Sequence, residues 1–338
     1  MQAFLHAVAS SVQQESVFNR SCKSNMSCRY VHRWWPKDGE LWGAITLVHG
    51  FGDHGGRFEG MATSLASYGL AVTAVDLIGH GRSPGRRGVI DSYEQLVDEV
   101  DGSVELSKRN WPRVPQFVFG QSMGGNLVIN WMLRRSEASK SVLGAILGAP
   151  LLKAKSMPKE KYMRAGRWLA DLLPNFRVPT PTKAEWLCGQ PMAQDAYLRD
   201  TLVHRTMSLR LATSLVDSGL WAMENAHRLQ VPSLLVHGSE DRLTCPAASE
   251  EFAKRAGSQA EFMLIHGCRH ELHEEAPREF LFETFASWTK TRCIKAWVFP
   301  SNSRSKADLQ RNFGHSTVVP HGVSIEGMPQ GSYTASGL

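Results

Sequence analysis

No apolar run in the chain approaches the roughly 18 residues that a membrane-spanning helix needs. The six cysteines (Cys22, Cys28, Cys188, Cys245, Cys268 and Cys293) include no Cys-x-x-Cys pair. That spacing excludes a zinc finger or ribbon and a dense disulfide framework, and fits the reduced thiols of a cytosolic protein. A strong charge of one sign is also missing. A net charge of +6 over 338 residues permits attraction to an anionic surface but gives no case for nucleic acid as a partner. Residues 1–10 lack a basic n-region and carry only a short apolar stretch, so they do not read as a signal peptide. No internal repeat is visible. What remains, with 42% hydrophobic residues, is a chain able to bury a core as one large domain or two small ones.

The most informative stretch is Gly120-Gln121-Ser122-Met123-Gly124-Gly125. It follows the apolar run Phe117-Val118-Phe119 and precedes residues 126–133, which read as a helix. A strand, a sharp Gly-x-Ser-x-Gly turn and a helix form a nucleophile elbow. The turn projects the serine hydroxyl outward, and the N–H after the serine, at Met123, points toward developing negative charge. Gly81-Arg82-Ser83-Pro84-Gly85 matches the same pattern. Its next residue is proline, which has no N–H to offer, so Ser83 reads as a loop residue.

Around the elbow, buried-strand patterns at 44–49, 70–76, 142–147, 233–237 and 261–265 alternate with helical patterns near 57–68, 92–110, 247–256 and 279–291. Ser92 is the expected N-cap of the second helix and Pro112 its terminator. The alternation predicts an α/β fold, a mostly parallel central sheet with helices on both faces. The pattern breaks at Pro150 and resumes near 220, with several prolines and no convincing strand between. The expected organisation is a core of 28–150 and 220–293, and an inserted helical cap of 151–219 over the end of the sheet where ligands bind. Residues 1–27 are polar and unpatterned and are expected to be a disordered leader, or an over-long start, since Met26 could also begin a chain; 294–338 are expected to be a disordered tail.

A serine hydroxyl needs a base to take its proton and an acid to hold that base in one tautomer. In this kind of fold they follow on loops after later strands, in the order serine, acid, histidine. Gly238-Ser239-Glu240-Asp241 and Gly267-Cys268-Arg269-His270 occupy those loops. Glu240 and Asp241 compete for the acid. His266, His270 and His273 compete for the base, with His270 favoured because it lies beyond the strand end and before the next helix. A second oxyanion donor should come from His49-Gly50-Phe51-Gly52, through the N–H of Phe51.

The series His49-Gly50-Phe51-Gly52-Asp53-His54-Gly55-Gly56-Arg57-Phe58, Asp76-Leu77-Ile78-Gly79-His80-Gly81-Arg82-Ser83, Gly120 to Gly125, and Gly238-Ser239-Glu240-Asp241-Arg242 resembles the motifs of the monoacylglycerol lipase/lysophospholipase group of α/β-hydrolases. The resemblance runs from about His49 to Thr291 and excludes much of the insertion. It implies the α/β-hydrolase fold, with Ser122, Asp241 and His270 as the catalytic residues and the Phe51 and Met123 N–H groups as the oxyanion hole. It also implies hydrolysis of a single-chain lipid ester. Monoacylglycerol is the first substrate, lysophospholipid the next, and a general carboxylester third. Asp195-Ala196-Tyr197-Leu198-Arg199-Asp200 is similar to a cap motif of that group, which makes Tyr197 a substrate-contact candidate. Thr201 departs from the proline often found there, and the tail after Cys293 has no counterpart. No metal and no organic cofactor is expected.

Three rival readings are weaker. Gly50-Phe51-Gly52-Asp53-His54-Gly55 fits a dinucleotide fingerprint, but a nicotinamide oxidoreductase would have no need of the elbow or of the acid and base loops. His270-Glu271-Leu272-His273 places its histidines three apart, where a metal-binding helix needs four. A non-catalytic hydrolase-fold binding protein usually lacks one of the three catalytic groups. In the cap, Tyr162, Ala165, Trp168 or Leu169, Leu172 and Phe176 recur at helical spacing among Lys159, Lys161, Arg164 and Arg167, and Pro174 should end the helix. That stripe either packs on the core or faces lipid, with the basic residues meeting anionic headgroups. The expected location is cytoplasmic, with peripheral contact at membranes through the cap.

Overall fold

A computed structural model describes residues 12–19, 28–157, 159–180 and 182–298. The leader and tail expectations for 1–11, 20–27 and 299–338 lie outside these residues. An eight-stranded sheet runs β1-β2-β4-β3-β5-β6-β9-β10. Its strands are β1 (Val12–Asn19), β2 (Arg29–Pro36), β3 (Gly43–Val48), β4 (Leu70–Val75), β5 (Gln116–Gln121), β6 (Gly144–Gly148), β9 (Ser233–Gly238) and β10 (Ala260–Ile265). The outer pair β1 and β2 is antiparallel to its neighbours, and from β4 to β10 every pairing is parallel. Strands β3, β4, β5, β6 and β9 are buried along their whole length, as a parallel sheet covered on both faces requires.

Helices α1 (Glu59–Ser67) and α8 (Arg278–Val298) cover one face through Met61, Leu65, Leu281 and Phe285. Helices α2 (Tyr93–Asn110), α3 (Met123–Arg134), α6 (Leu209–Asn225) and α7 (Pro246–Ala256) cover the other through Leu96, Leu127, Trp131, Leu215 and Phe252. Ser92 caps α2, its Oγ accepting from the N–H of Gln95 at 3.2 Å. The chain leaves β3 for β4 on one side and returns as β5 on the other. The loops after β3 and β5 therefore diverge at a topological switch point, the place where open α/β sheets bind ligands.

Between β6 and α6 lies the cap. It contains α4 (Glu160–Leu172), β7 (Arg177–Pro179), α5 (Pro191–Arg199) and β8 (Thr206–Ser208). The pairing of β7 with β8 corrects the expectation of a strandless insertion. Each is three residues long, too short to carry a period. The expected cap boundary at 219/220 falls inside α6, which is a single continuous helix buried along Leu211, Leu215, Ala222 and Met223. Residues 12–19 correct the leader expectation, and Ile294 to Val298 extend α8 into what was expected to be tail. β1 escaped detection because Gln13, Gln14, Glu15 and Ser16 in its middle are exposed. It is held by backbone pairing to β2, which leaves no apolar alternation to read.

Candidate active site

The elbow is built as its sequence requires. Ser122 sits between β5 and α3 at φ 55° and ψ −113°, a left-handed conformation uncommon for a residue with a Cβ. Its N–H donates to Gly148 O at 2.8 Å, and its carbonyl accepts from Asn126 and Leu151 at 3.0 Å each. A Cβ on Gly124 would lie 2.1 Å from the carbonyl oxygen of Val48, so only glycine lets α3 start this close to β3. Strain of this kind costs about 1–3 kcal/mol and persists where surrounding structure imposes it. Ser122→Gly should therefore stabilise the fold by about 1 kcal/mol after the extra unfolded-state entropy of glycine is subtracted. Scanning calorimetry should show Tm rise by about 2–4 °C relative to Ser122→Ala. Equal Tm values would mean the elbow stores no strain.

The loop after β3 lies against the serine. A Cβ on Gly50 would be 3.5 Å from Ser122 Cβ. Buried His49 fixes this loop: its Nε2 accepts from Leu77 N–H at 3.0 Å, which puts the ring proton on Nδ1, and Nδ1–H donates to Gly50 O at 2.8 Å. Burial lowers its pKa below the usual 6.5, outweighing the nearby charges of Asp76 and Asp53 that raise it, and keeps the ring neutral. Gly52 is covered by the cap: His204 N–H donates to Gly52 O at 3.0 Å. The glycine-rich loop thus meets protein where a dinucleotide reading would require a pyrophosphate.

Of the two candidate acids, Glu240 is exposed while Asp241 is 1% exposed and turned inward. Asp241 Oδ1 accepts from the N–H groups of Leu243 (2.7 Å) and Thr244 (3.0 Å). Oδ2 accepts from His270 Nδ1 at 2.7 Å, Thr244 Oγ1 at 2.7 Å and His237 Nε2 at 3.1 Å. Burial pushes the Asp241 pKa up, but the charge and hydrogen bonds of His270 and His237 outweigh it and hold the carboxyl well below its usual 3.8. Of the three candidate bases, His266 is exposed, and His273 is buried against the Phe58 ring with centroids 4.3 Å apart. Only His270 meets Asp241. Burial lowers the His270 pKa, while Asp241 and then Glu271 and Asp53 raise it further, so the net shift is above 6.5.

A bond that sequence reasoning missed ties the base to the elbow: Gln121 Nε2 donates to His270 O at 2.9 Å. His237 and Thr244, which saturate Asp241, were also missed. The only signal was His237 lying four residues before the acid. Arg57 belongs to the motif series after β3, where its sequence position announces no role. It forms a bidentate pair with Glu271 at 3.0 and 2.8 Å and reaches Asp53 at 3.3 Å, joining the loop after β3 to the base loop. Ser83, the serine of the second motif copy, is buried, with Oγ accepting from Tyr30 N–H at 2.8 Å. Tyr197 on α5 faces inward, 7% exposed, between the guanidinium groups of Arg57 (4.9 Å) and Arg205 (5.0 Å).

The sheet order, the elbow and the buried acid–base pair define an α/β-hydrolase of the serine type. The family model described as serine aminopeptidase, S33, matches residues 39–277, and the chain belongs to that family. It is 30% identical to the monoglyceride lipase of Homo sapiens over 274 residues, covering 80% of this chain and 88% of the relative. It is 29% identical to an uncharacterized abhydrolase domain-containing protein of Dictyostelium discoideum over 82% of this chain, and spans 29% of that protein's length. The crystal structure of the Paleococcus ferrophilus monoacylglycerol lipase superposes with a TM-score of 0.70 at 27% identity, covering 78% of this chain and 99% of that one. The chain is a carboxylic ester hydrolase.

Proposed function

We propose that the protein hydrolyses a monoacylglycerol to a fatty acid and glycerol. The observation that carries the reading is the 2.7 Å bond between His270 Nδ1 and Asp241, on a loop tied to the elbow by Gln121. With Nδ1–H committed to the carboxylate, the His270 Nε2 lone pair takes the proton of Ser122 as Oγ attacks the acyl carbonyl. The oxyanion rests on the N–H groups of Phe51 and Met123. His270 returns the proton to the glycerol oxygen as the C–O bond breaks. A water molecule deprotonated by His270 then attacks the acyl-serine and releases the fatty acid. Asp241 keeps the tautomer and stabilises imidazolium; it does not itself take the proton. The monoglyceride lipase relatives support the substrate class. Tyr197, buried between two guanidinium groups, is a candidate contact for the polar end of the substrate.

The test is a panel of monoacylglycerols, lysophosphatidylcholines, p-nitrophenyl esters and an aminoacyl anilide, with Ser122→Ala as the blank. The expected result is the highest kcat/KM on a monoacylglycerol. Preferential lysophosphatidylcholine cleavage would move the substrate assignment to lysophospholipids, and turnover of the anilide alone would overturn ester hydrolysis.

The cap supplies the membrane contact. Tyr162, Trp168, Leu172, Leu173 and Phe176 are all more than half exposed on and just after α4, and Ala170 is the helix's one buried residue. The exposed stripe supports the lipid-facing reading over core packing. Lys159, Lys161 and Arg164 lie beside it. No helix among the described residues is long and apolar enough to cross a membrane. The double substitution Trp168→Ser and Leu169→Ser should lower partitioning onto anionic vesicles at least about tenfold, since losing one well-buried aromatic side chain is worth more than about 1.4 kcal/mol. Unchanged co-sedimentation would remove this contact.

A further inference from the structure

We infer that His32, His54 and Asp76 form a binding site for a borderline divalent cation, of which Zn2+ is the best match to two imidazoles and a carboxylate. The three residues come from β2, the loop after β3 and the end of β4, so no sequence spacing announces them. One donor atom from each lies within 4.8 Å of the other two, and all three residues are buried.

His32 carries the argument furthest. It is 8% exposed, and its Nε2 has no hydrogen-bond partner among the described residues. That nitrogen is 3.3 Å from Asp76 Oδ1, yet off the line that a hydrogen bond requires. A separation of about 3.3 Å is the edge of a tetrahedron whose metal–ligand bonds are about 2.0–2.1 Å. The pair is close enough for a long ion pair when the ring is protonated, and at this ligand–ligand spacing a cation can take the place of that proton.

Each candidate ligand is also oriented from behind. His32 Nδ1 is 3.0 Å from Ser16 Oγ on β1, which fixes the ring proton on Nδ1 when Nε2 binds a metal. His54 Nε2–H donates to Asp200 Oδ2 of the cap at 2.9 Å, leaving Nδ1 as the donor atom. His54 Nδ1 accepts from Gly56 N–H, and a Cβ on Gly56 would lie 3.0 Å from His54 Nδ1 and 3.4 Å from His32 Cε1, so the two rings line the same space beside that glycine. Asp76 Oδ1 accepts from the N–H of Gly55 and Oδ2 from that of Arg82, each at 2.8 Å, which fixes the carboxylate plane. A histidine whose far nitrogen donates to a carboxylate or another polar oxygen is the usual support for a bound metal. On binding, His54 Nδ1 exchanges its long 3.2 Å contact with Gly56 N–H for the cation. Through Asp200 the cation would clamp the cap to the loop that carries Phe51.

Isothermal titration of the EDTA-stripped full chain with ZnCl2 tests the site, paired with thermal melts in the presence and absence of Zn2+. The expected result is one equivalent bound by the wild type with a raised Tm. The cysteines and exposed histidines are common to all variants and cancel in the comparison. His32→Gln, which keeps the ring's approximate volume, should lose both the binding and the Tm increment. Asp200→Asn leaves the ligands in place and should weaken Zn2+ affinity by about 10–100-fold. If His32→Gln does not fold, Ser16→Ala at the exposed edge replaces it, with a weakened affinity expected. No binding by the wild type, or the same affinity in the wild type and in these variants, overturns the proposal.

Discussion

Ser122→Ala is expected to reduce kcat by about 10⁶-fold on the preferred ester, with an unchanged melting profile. The alanine keeps the Cβ and hence the left-handed backbone that the elbow imposes, so the fold has no reason to respond. What disappears is the oxygen that forms the acyl-enzyme. Turnover should not fall to the uncatalysed rate if the N–H groups of Phe51 and Met123 form the proposed oxyanion hole, which would still stabilise attack by water by about 10³–10⁴-fold, as in serine hydrolases that lack a nucleophile. A burst of alcohol release in the wild type that is absent in the variant would tie the loss to the acyl step. Wild-type turnover in Ser122→Ala would refute the assignment of the nucleophile.

Asp241→Asn should cost about 10⁴-fold in kcat, although it changes one atom. An asparagine can keep Oδ1 accepting from the Leu243 and Thr244 amides. Its NH2 group then takes the Oδ2 position, where His270, His237 and Thr244 now donate. An amide there donates toward His270 Nδ1 and drives the ring proton to Nε2, the nitrogen that has to accept from serine. The pH profile separates this from a general loosening. In the wild type, His270 titrates above 6.5, so the acid limb of kcat/KM should lie above that value. Without the Asp241 charge, burial is the dominant influence, and the limb should move to lower pH. The linked stability has two signs. His270, raised on folding, contributes stability that is complete below pH 6.5 and lost as pH rises through its folded pKa. Asp241, depressed on folding, contributes stability present above 3.8 and lost as pH falls toward its folded value. An acid limb that does not move in Asp241→Asn would remove Asp241 from control of the base.

What the sequence disclosed follows from how local each constraint is. The elbow was legible because its strain, its glycines and its missing proline all lie within six residues. The buried strands of the sheet were legible because burial on both faces leaves continuous apolar runs. Choosing Asp241 over Glu240 from spacing alone was not possible. The two differ only in which way the turn after β9 directs them; the family resemblance made the choice, and in the folded chain it is Asp241 that turns inward to His270. β1, β7 and β8 left no trace because exposed or three-residue strands are held by pairing partners far away in the chain. The periodicity of α4 marked an apolar stripe but not what it faces, since a helix pattern has no information about its neighbours. Thr244, Gln121 and Arg57 owe their importance to partners that only the folded chain brings within reach.

The hydrogen bond from His204 to the carbonyl of Gly52 has a consequence for engineering this molecule. The cap and the loop bearing Phe51 share a backbone contact, and the His204 ring meets the Phe51 ring edge-on with centroids 5.2 Å apart. Exchanging the cap as a cassette at its outer boundaries would therefore replace a wall of the reaction chamber along with its roof. A transplant meant to alter acyl-chain preference alone has to retain the native segment from Asp200 to Ser208, which carries the bonds to His54, Gly52 and Gly88, and confine its changes to α4 and the stretch leading to α5.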